Sequence, residues 1–349
     1  VRGESEPCLV PAREYDAALS DLDGVVYSGP APVRGAVAAL AGARQAGMRL
    51  AFVTNNAFRT PSAIAAHLSG IGVPARAEDV VTSAQAAATL IALRVPAGSP
   101  VLVAGGMGLR LALRGRGLRP VSTAAERPAA VAQGYAPDIG YGLLAEAAAA
   151  VRGGALYVAA NVDATLPTPR GPQPGNGALV AVVVTATGAR PLVAGKPEPP
   201  LHAEAVARTG ARRPLVVGDR LDTDIEGAVR AGCDSMLVLT GVSTARDVVL
   251  APPGRRPTYV AADLAGLLQP QPAIRAIGAT GRGSGTGADG PFRCRGWEAW
   301  RQDGRSPLKL AGEGAWIDGV RALCAAAWSG ERVGADQVEP ALSVLGAAG

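Results

Sequence analysis

A short apolar run, Ala17-Ala-Leu-Ser20, stops abruptly on Asp21-Leu-Asp23-Gly24, and this pattern of a strand ending on polar residues recurs along the chain. Residues 16–20 read as a buried strand and residues 34–47 carry helical apolar spacing. Residues 49–53 read as a second strand that runs into Thr54-Asn55-Asn56. Thr60-Pro61 opens another helix, because proline suits the first helical turn, and Gly70 closes it. The alternation continues with strands near 101–104, 129–133 and 155–160 and helices near 83–93, 140–152 and 176–187. It resumes with a helix near 200–209, a strand at 214–217, a helical segment at 222–231 and a strand at 235–239. Strands alternating with helices imply parallel sheets with helices on their faces. Ligands of such sheets bind at the carboxyl ends of the strands, so the residues that terminate the strands carry the chemistry.

Composition narrows the functional classes. At 349 residues, 48% apolar and 18% charged, the chain is long enough for two or three folded units and too apolar to be disordered. Its net charge of +5 hints at a polyanion partner, but the excess is scattered. There is no run of five or six basic residues, aromatics for base stacking make up only 4%, and residues 270–349 hold nine basic and eight acidic side chains. No nucleic-acid partner is expected. Lysine occurs only at Lys196 and Lys309; every other basic side chain, the two histidines aside, is arginine. The cysteines at 8, 233, 294 and 324 and the histidines at 67 and 202 lack zinc-site or disulfide-scaffold spacing. The first residues have no apolar leader core and no stretch approaches 18 apolar residues, so a cytoplasmic location without a membrane partner is expected. No P-loop occurs, nor a GxGxxG after a strand, so ATP or NAD binding is not supported.

Four strand ends then stand out. Asp21 and Asp23 sit two residues apart before Gly24, and the strand at 214–217 ends on Gly218-Asp219-Arg220-Leu221-Asp222-Thr223-Asp224. If those two strands are neighbours, Asp21, Asp23 and Asp219 converge, and clustered carboxylates need a cation; oxygen-only ligation suits Mg²⁺. Thr54 offers a hydroxyl, Asn55 and Asn56 offer amide donors, and Lys196, between Gly195 and Pro197, offers a compact positive charge. A nucleophile, a metal, donors and a cation are what phosphoryl transfer through an aspartyl-phosphate requires. A calcium loop of the EF-hand type is excluded, because the later ligands and terminal glutamate are missing. Asn161, Asp163, Arg170 and Asn176 lie in two loops rich in Pro and Gly and are candidates for substrate selection.

From about residue 270 the texture changes. Residues 278–290 are mostly Gly, Ser, Thr and Ala, a linker composition, and all four tryptophans (297, 300, 316 and 328) follow it. A helix near 317–328 has apolar residues at three- and four-residue spacing.

The set DLDGVVY, VTNN, GKPEP and GDRLDTDI, in this order, resembles the haloacid dehalogenase superfamily of phosphatases, in its para-nitrophenylphosphatase-type subfamily. The resemblance covers residues 15–265. It implies an α/β fold: a Rossmann-like parallel-sheet core over 12–76 and 189–268, an inserted α/β cap over 77–188, a flexible linker over 269–290 and a small C-terminal appendage over 291–349. It implies Asp21 as nucleophile and Asp23 as general acid and then base, with Asp21, Asp219 and the Asp23 carbonyl as ligands of Mg²⁺ or another divalent cation. Asp224 would orient Asp219 or a metal-bound water. Thr54, Asn55 and Asn56 would hold the phosphoryl group and Lys196 would neutralise it. Finer stretches, among them AANVDATLPTPRGPQPGNG and LTGVSTARD, are similar to phosphatases of GC-rich bacteria that hydrolyse glycerol 3-phosphate. The implied substrate is thus a small phosphorylated metabolite, with phosphoglycolate, a nucleoside monophosphate or a sugar phosphate as alternatives, and a non-catalytic phosphate-binding regulator as the remote one. Capped relatives imply a homodimer through the cap. Relatives also carry a tail resembling a GCN5-type acetyltransferase; residues 291–349 occupy that place without an acyl-CoA pyrophosphate loop, and read as a non-catalytic, degenerate version.

Overall fold

The computed structural model describes residues 9–166, 168, 170–277, 291–303 and 305–347. Cys8, Pro167, Pro169 and the Gly-rich stretch 278–290 lie outside them. The chain forms two compact units, 1–49 with 213–349, and 50–212.

In the first unit four strands run parallel in the order Tyr259–Ala261, Asp234–Val238, Pro214–Gly218, Ala17–Ser20. Ala17-Ala18-Leu19-Ser20 is buried at every position, as a strand covered on both faces must be. The pairing of Ala17–Ser20 with Pro214–Gly218 meets the condition for the acidic strand ends to converge. The helical segment at 222–231 starts as a wide π turn, Leu221–Ile225, before becoming regular at Glu226–Ala231.

Strands beyond those read from the sequence build the tail. Arg275–Ala276, Phe292–Cys294, Trp297–Trp300 and Lys309–Gly312 form an antiparallel sheet packed under helix Trp316–Trp328, and a second helix, Ala335–Ala347, follows. Trp297, fully buried, belongs to one apolar cluster that also contains Leu221, Ile225, Leu237, Val248 and Val260. Tail and parallel sheet therefore share a core. They are also joined by Arg321, whose guanidinium donates to the Val260 carbonyl, Asp318 and Gln271.

In the second unit the strand Arg49–Thr54 pairs in parallel with Val80–Thr82. Helix Pro61–Gly70 is capped by Thr60, whose hydroxyl accepts from the Ala63 N–H, and Ser83–Ala92 starts with a Thr82/Gln85 capping box. A separate five-stranded parallel sheet has the order Leu192–Val193, Leu156–Ala159, Ala130–Gln133, Pro100–Ala104, Arg119–Val121. Helices Tyr141–Arg152 and Asn176–Thr187 pack together beside it around Leu144, Val151, Tyr157 and Val180. Helix Met107–Gly115 has only a weak signal in the sequence, because its terminal glycines blur an apolar face that buries Leu109 and Leu113. Among the described residues no helix is long and apolar enough to cross a membrane.

Candidate active site

The site residues fall into two groups, one in each unit. In the first unit, parallel pairing brings Asp21 and Asp219 to the ends of adjacent strands, where Asp21 N–H donates to Val217 O at 2.8 Å. The π turn then swings Asp224 back toward them. Carboxylate oxygens of Asp21, Asp219 and Asp224 lie within 4.8 Å of one another, with Asp219 and Asp224 buried. Three such charges repel strongly unless a cation stands among them, and a set made only of carboxylate oxygens fits a hard divalent ion such as Mg²⁺. Asp224 is part of the cluster itself, and its Oδ2 also accepts from Arg220 N–H at 3.1 Å. Asp23, two residues beyond Asp21, is exposed and its carboxylate is not among the three. Asp222 turns outward into a two-pronged pairing with Arg220, which holds its carboxyl below the usual range.

The chain around Asp219 is fixed by residues that lie outside the four strand-end motifs. Val242 N–H donates to Asp219 Oδ2 at 2.7 Å, Ser243 N–H to the Asp219 carbonyl at 3.0 Å, and Thr240 Oγ1 to the Gly24 carbonyl at 2.6 Å. The signal for them was the run Thr240-Gly-Val-Ser-Thr244, small and polar, directly after a buried strand. Gly24 has φ +79°, and a Cβ there would stand 2.6 Å from Asp219 Oδ2, so both conformation and space demand glycine.

In the second unit the strand Arg49–Thr54 delivers Thr54, buried, with its Oγ1 accepting from Asn56 N–H at 3.1 Å. That arrangement leaves the hydroxyl proton to be donated elsewhere. Asn55 holds Lys196: its Oδ1 accepts from Lys196 N–H at 2.8 Å and its Nδ2 donates to the Lys196 carbonyl at 3.1 Å. Lys196 is buried, its Nζ is 3.4 Å from the Val53 carbonyl, and the Lys196–Pro197 peptide is cis. Asn56 is used in the turn, its Oδ1 accepting from Phe58 and Arg59 N–H groups at 2.9 Å each.

The loop candidates divide. Asp163 accepts from Asn55 Nδ2, at 3.2 and 3.3 Å to its two oxygens. Asn161 and Asn176 are buried and bonded to backbone carbonyls, whereas Arg170 is exposed. Asn55, Asn56, Asn161 and Asn176, expected at the phosphate or the substrate, each have at least one side-chain polar atom bonded to a protein group, whereas Asn176 Oδ1 is buried without a partner among the described residues. Polar loop residues looked like free recognition groups in the sequence, because nothing local shows which carbonyls would otherwise be left without donors.

Comparison with known proteins agrees with this architecture. A family model for haloacid dehalogenase-like hydrolases matches residues 18–119, a second model for such hydrolases matches 193–267, and one for a GCN5-related N-acetyltransferase-like domain matches 294–347. The chain belongs to the haloacid dehalogenase-like hydrolase family.

Within that family it is 55% identical over 258 residues to the D-glycerol 3-phosphate phosphatase of Mycobacterium tuberculosis, covering 74% of this chain and 72% of that one. A crystal structure of the M. tuberculosis glycerol phosphate phosphatase with magnesium superposes with TM-score 0.84 at 45% identity, over 96% of this chain and 98% of that one. An acid sugar phosphatase of Staphylococcus aureus is 39% identical over 68% of this chain and 91% of its own length. A p-nitrophenyl phosphatase from Archaeoglobus fulgidus has TM-score 0.68 at 28% identity, over 73% of this chain and 98% of its own.

Proposed function

We propose that this protein is a divalent-cation-dependent phosphatase of small organic phosphate monoesters, with glycerol 3-phosphate as its substrate. The observation that carries the reading is the cluster of Asp21, Asp219 and Asp224 at the ends of two paired parallel strands. The likeness to the M. tuberculosis glycerol phosphate phosphatase, crystallised with magnesium and with calcium, supports both the substrate and the ion.

Asp21, Asp219 and Asp224 would hold Mg²⁺, with the Asp23 carbonyl as a further oxygen ligand. When bound, the cation screens the carboxylates and stabilises charge on the phosphoryl oxygens. Asp21 Oδ attacks phosphorus, the ester P–O bond breaks, and Asp23 gives its proton to the departing alkoxide, since an alcohol leaves poorly without one. Asp23 then takes a proton from water as that water attacks the aspartyl-phosphate, releasing phosphate and restoring Asp21. Thr54 donates its hydroxyl to the transferring group, and Lys196 neutralises it. A compact ammonium suits this role where a planar guanidinium would be too wide, in a chain that otherwise uses arginine almost throughout.

We assign the core to 12–76 with 189–268, the cap to 77–188 and the acetyltransferase-like tail to 291–349, a tail without acyl-transfer activity. A homodimer formed through the cap, located in the cytoplasm, completes the proposal.

A phosphate-release panel with Mg²⁺ tests it. Glycerol 3-phosphate is expected to give the highest kcat/KM, above phosphoglycolate, sugar phosphates and nucleoside monophosphates. Folded Asp21→Asn protein that keeps wild-type turnover would overturn the mechanism, and a higher kcat/KM for another ester would overturn the substrate.

A further inference from the structure

Three asparagines in the second unit form a ladder of side chain to backbone contacts that ends on Lys196. Asn176 is the first residue of helix Asn176–Thr187, and its Nδ2 donates to the Asn161 carbonyl at 2.6 Å. Asn161 Nδ2 donates in turn to the Asn55 carbonyl at 2.7 Å, which also accepts from Ser83 Oγ at 2.6 Å. Asn161 Oδ1 accepts from Asp163 N–H at 3.2 Å, and Asp163 presents its carboxylate to Asn55 Nδ2. Asn55 closes the ladder on the N–H and the carbonyl of Lys196. Asn161, Asn176 and Lys196 are all more than nine-tenths buried.

Each rung pairs a backbone group with an amide side chain, and the Asn55 carbonyl takes a second donor from Ser83, so the rungs stabilise one another. An amide side chain suits such a rung because it carries a donor and an acceptor at fixed spacing and can grip both polar groups of one residue. At Lys196 it does what a neighbouring strand would do, although none pairs with that residue among the strands described.

We propose that Asn161 and Asn176 are positioning residues that act through Asn55 to fix Lys196, and that Asp163 is the anionic brace of the same ladder rather than a substrate contact. The consequence for catalysis rests on the phosphatase reading above; the consequence for Lys196 itself does not. Misplacing a charge-neutralising group by even about 1 Å costs on the order of 100-fold in rate, so a loop remote from the chemistry can govern turnover through one lysine.

The two-lysine composition supplies a test independent of activity. Brief acylation of the folded protein with acetic anhydride, read by peptide mass spectrometry, reports Lys196 against exposed Lys309 as an internal standard. Asn161→Ala and Asn176→Ala are each expected to raise the Lys196 to Lys309 labelling ratio by about fivefold, the factor set by one ordinary hydrogen bond. Arg170→Ala is expected to leave it unchanged. An unchanged ratio in both asparagine variants overturns the proposal, whether or not the protein hydrolyses phosphate esters.

Kinetics with glycerol 3-phosphate then separate positioning from substrate contact. Both variants are expected to lower kcat about 10- to 100-fold with KM and the substrate ranking kept. In a Lys196→Ala background the same substitutions are expected to change kcat less than about twofold, because their effect runs through the missing side chain. A rise in KM with an altered substrate ranking, or full multiplicative losses in the Lys196→Ala background, overturns the proposal. A wild-type protein that hydrolyses no ester overturns the phosphatase reading instead, and leaves the labelling result to decide this one.

Discussion

The side chain of Asn55 grips both backbone polar groups of Lys196, accepting from its N–H at 2.8 Å and donating to its carbonyl at 3.1 Å. The grip depends on Gly195. A Cβ there would stand 2.6 Å from Asn55 Oδ1 and 2.5 Å from the Ala160 carbonyl. Gly195→Ala is therefore expected to cost about 1–3 kcal/mol of stability by overpacking. It should also lower kcat at least about 10-fold by displacing the lysine. Urea unfolding and steady-state kinetics of the purified variant check both.

The carboxylate cluster makes a prediction about the ion. A cation that binds the native state alone stabilises it by about 2.7 kcal/mol at a concentration 100 times its Kd. Mg²⁺ is thus expected to raise the Tm of the wild type, and EDTA to abolish both that gain and the activity. In Asp219→Asn, which removes one of the three charges, the Mg²⁺-dependent rise in Tm should disappear. An undiminished rise in the variant would place the ion elsewhere.

In the tail, Arg321 and Asp318 form a buried ion pair at 2.7 Å, and Arg321 also donates to the Val260 carbonyl at 2.8 Å. Removing one partner of a buried pair costs about 3–5 kcal/mol, here at the lower end because Arg295 Nη1 also stands 3.6 Å from Asp318 and keeps part of its charge compensated. Arg321→Ala is expected to lose that much in equilibrium urea unfolding. The double variant Arg321→Met with Asp318→Leu, which takes out both charges, should recover most of it.

Alkaline stability follows from the buried thiols. Burial, aided by the Asp318 charge, pushes Cys294 up to about 12, and burial also raises Cys324. Unfolded thiols ionise near about 8.5. Above that pH the unfolded chain has lost protons that the native chain keeps, so stability falls as pH rises from the unfolded value toward the native one. The urea midpoint should be flat with respect to these groups below about pH 8 and decline through about pH 9–11. Cys294→Ala with Cys324→Ala should decline less steeply over the same interval.

The strands and helices of the parallel sheets were legible because their signals are local. Thr60-Pro61 and Gly70 bracket a helix that spans Pro61–Gly70, and Leu215-Val-Val ends on Gly218-Asp219 as expected. The tail was less legible. Its strands are short and irregular, and what stabilises them is Trp297 buried in a cluster with residues such as Leu237 and Val260, far away in sequence. The ladder was illegible for the same reason: Asn161 and Asn176 looked like loop polarity, and their partners are carbonyls that no spacing rule connects to them.

By itself, then, the sequence determined the alternation of elements, the acidic and polar strand ends, and Lys196 as one of only two lysines, because apolar periodicity and residue identity are properties of a local stretch. Tertiary structure alone decided that Ala17–Ser20 lies beside Pro214–Gly218, that the π turn returns Asp224 to Asp21 and Asp219, and that Asn55 faces Lys196. Those relationships depend on which distant backbone groups are buried together. Each such group must find a hydrogen-bond partner or a counter-charge within reach once water is excluded.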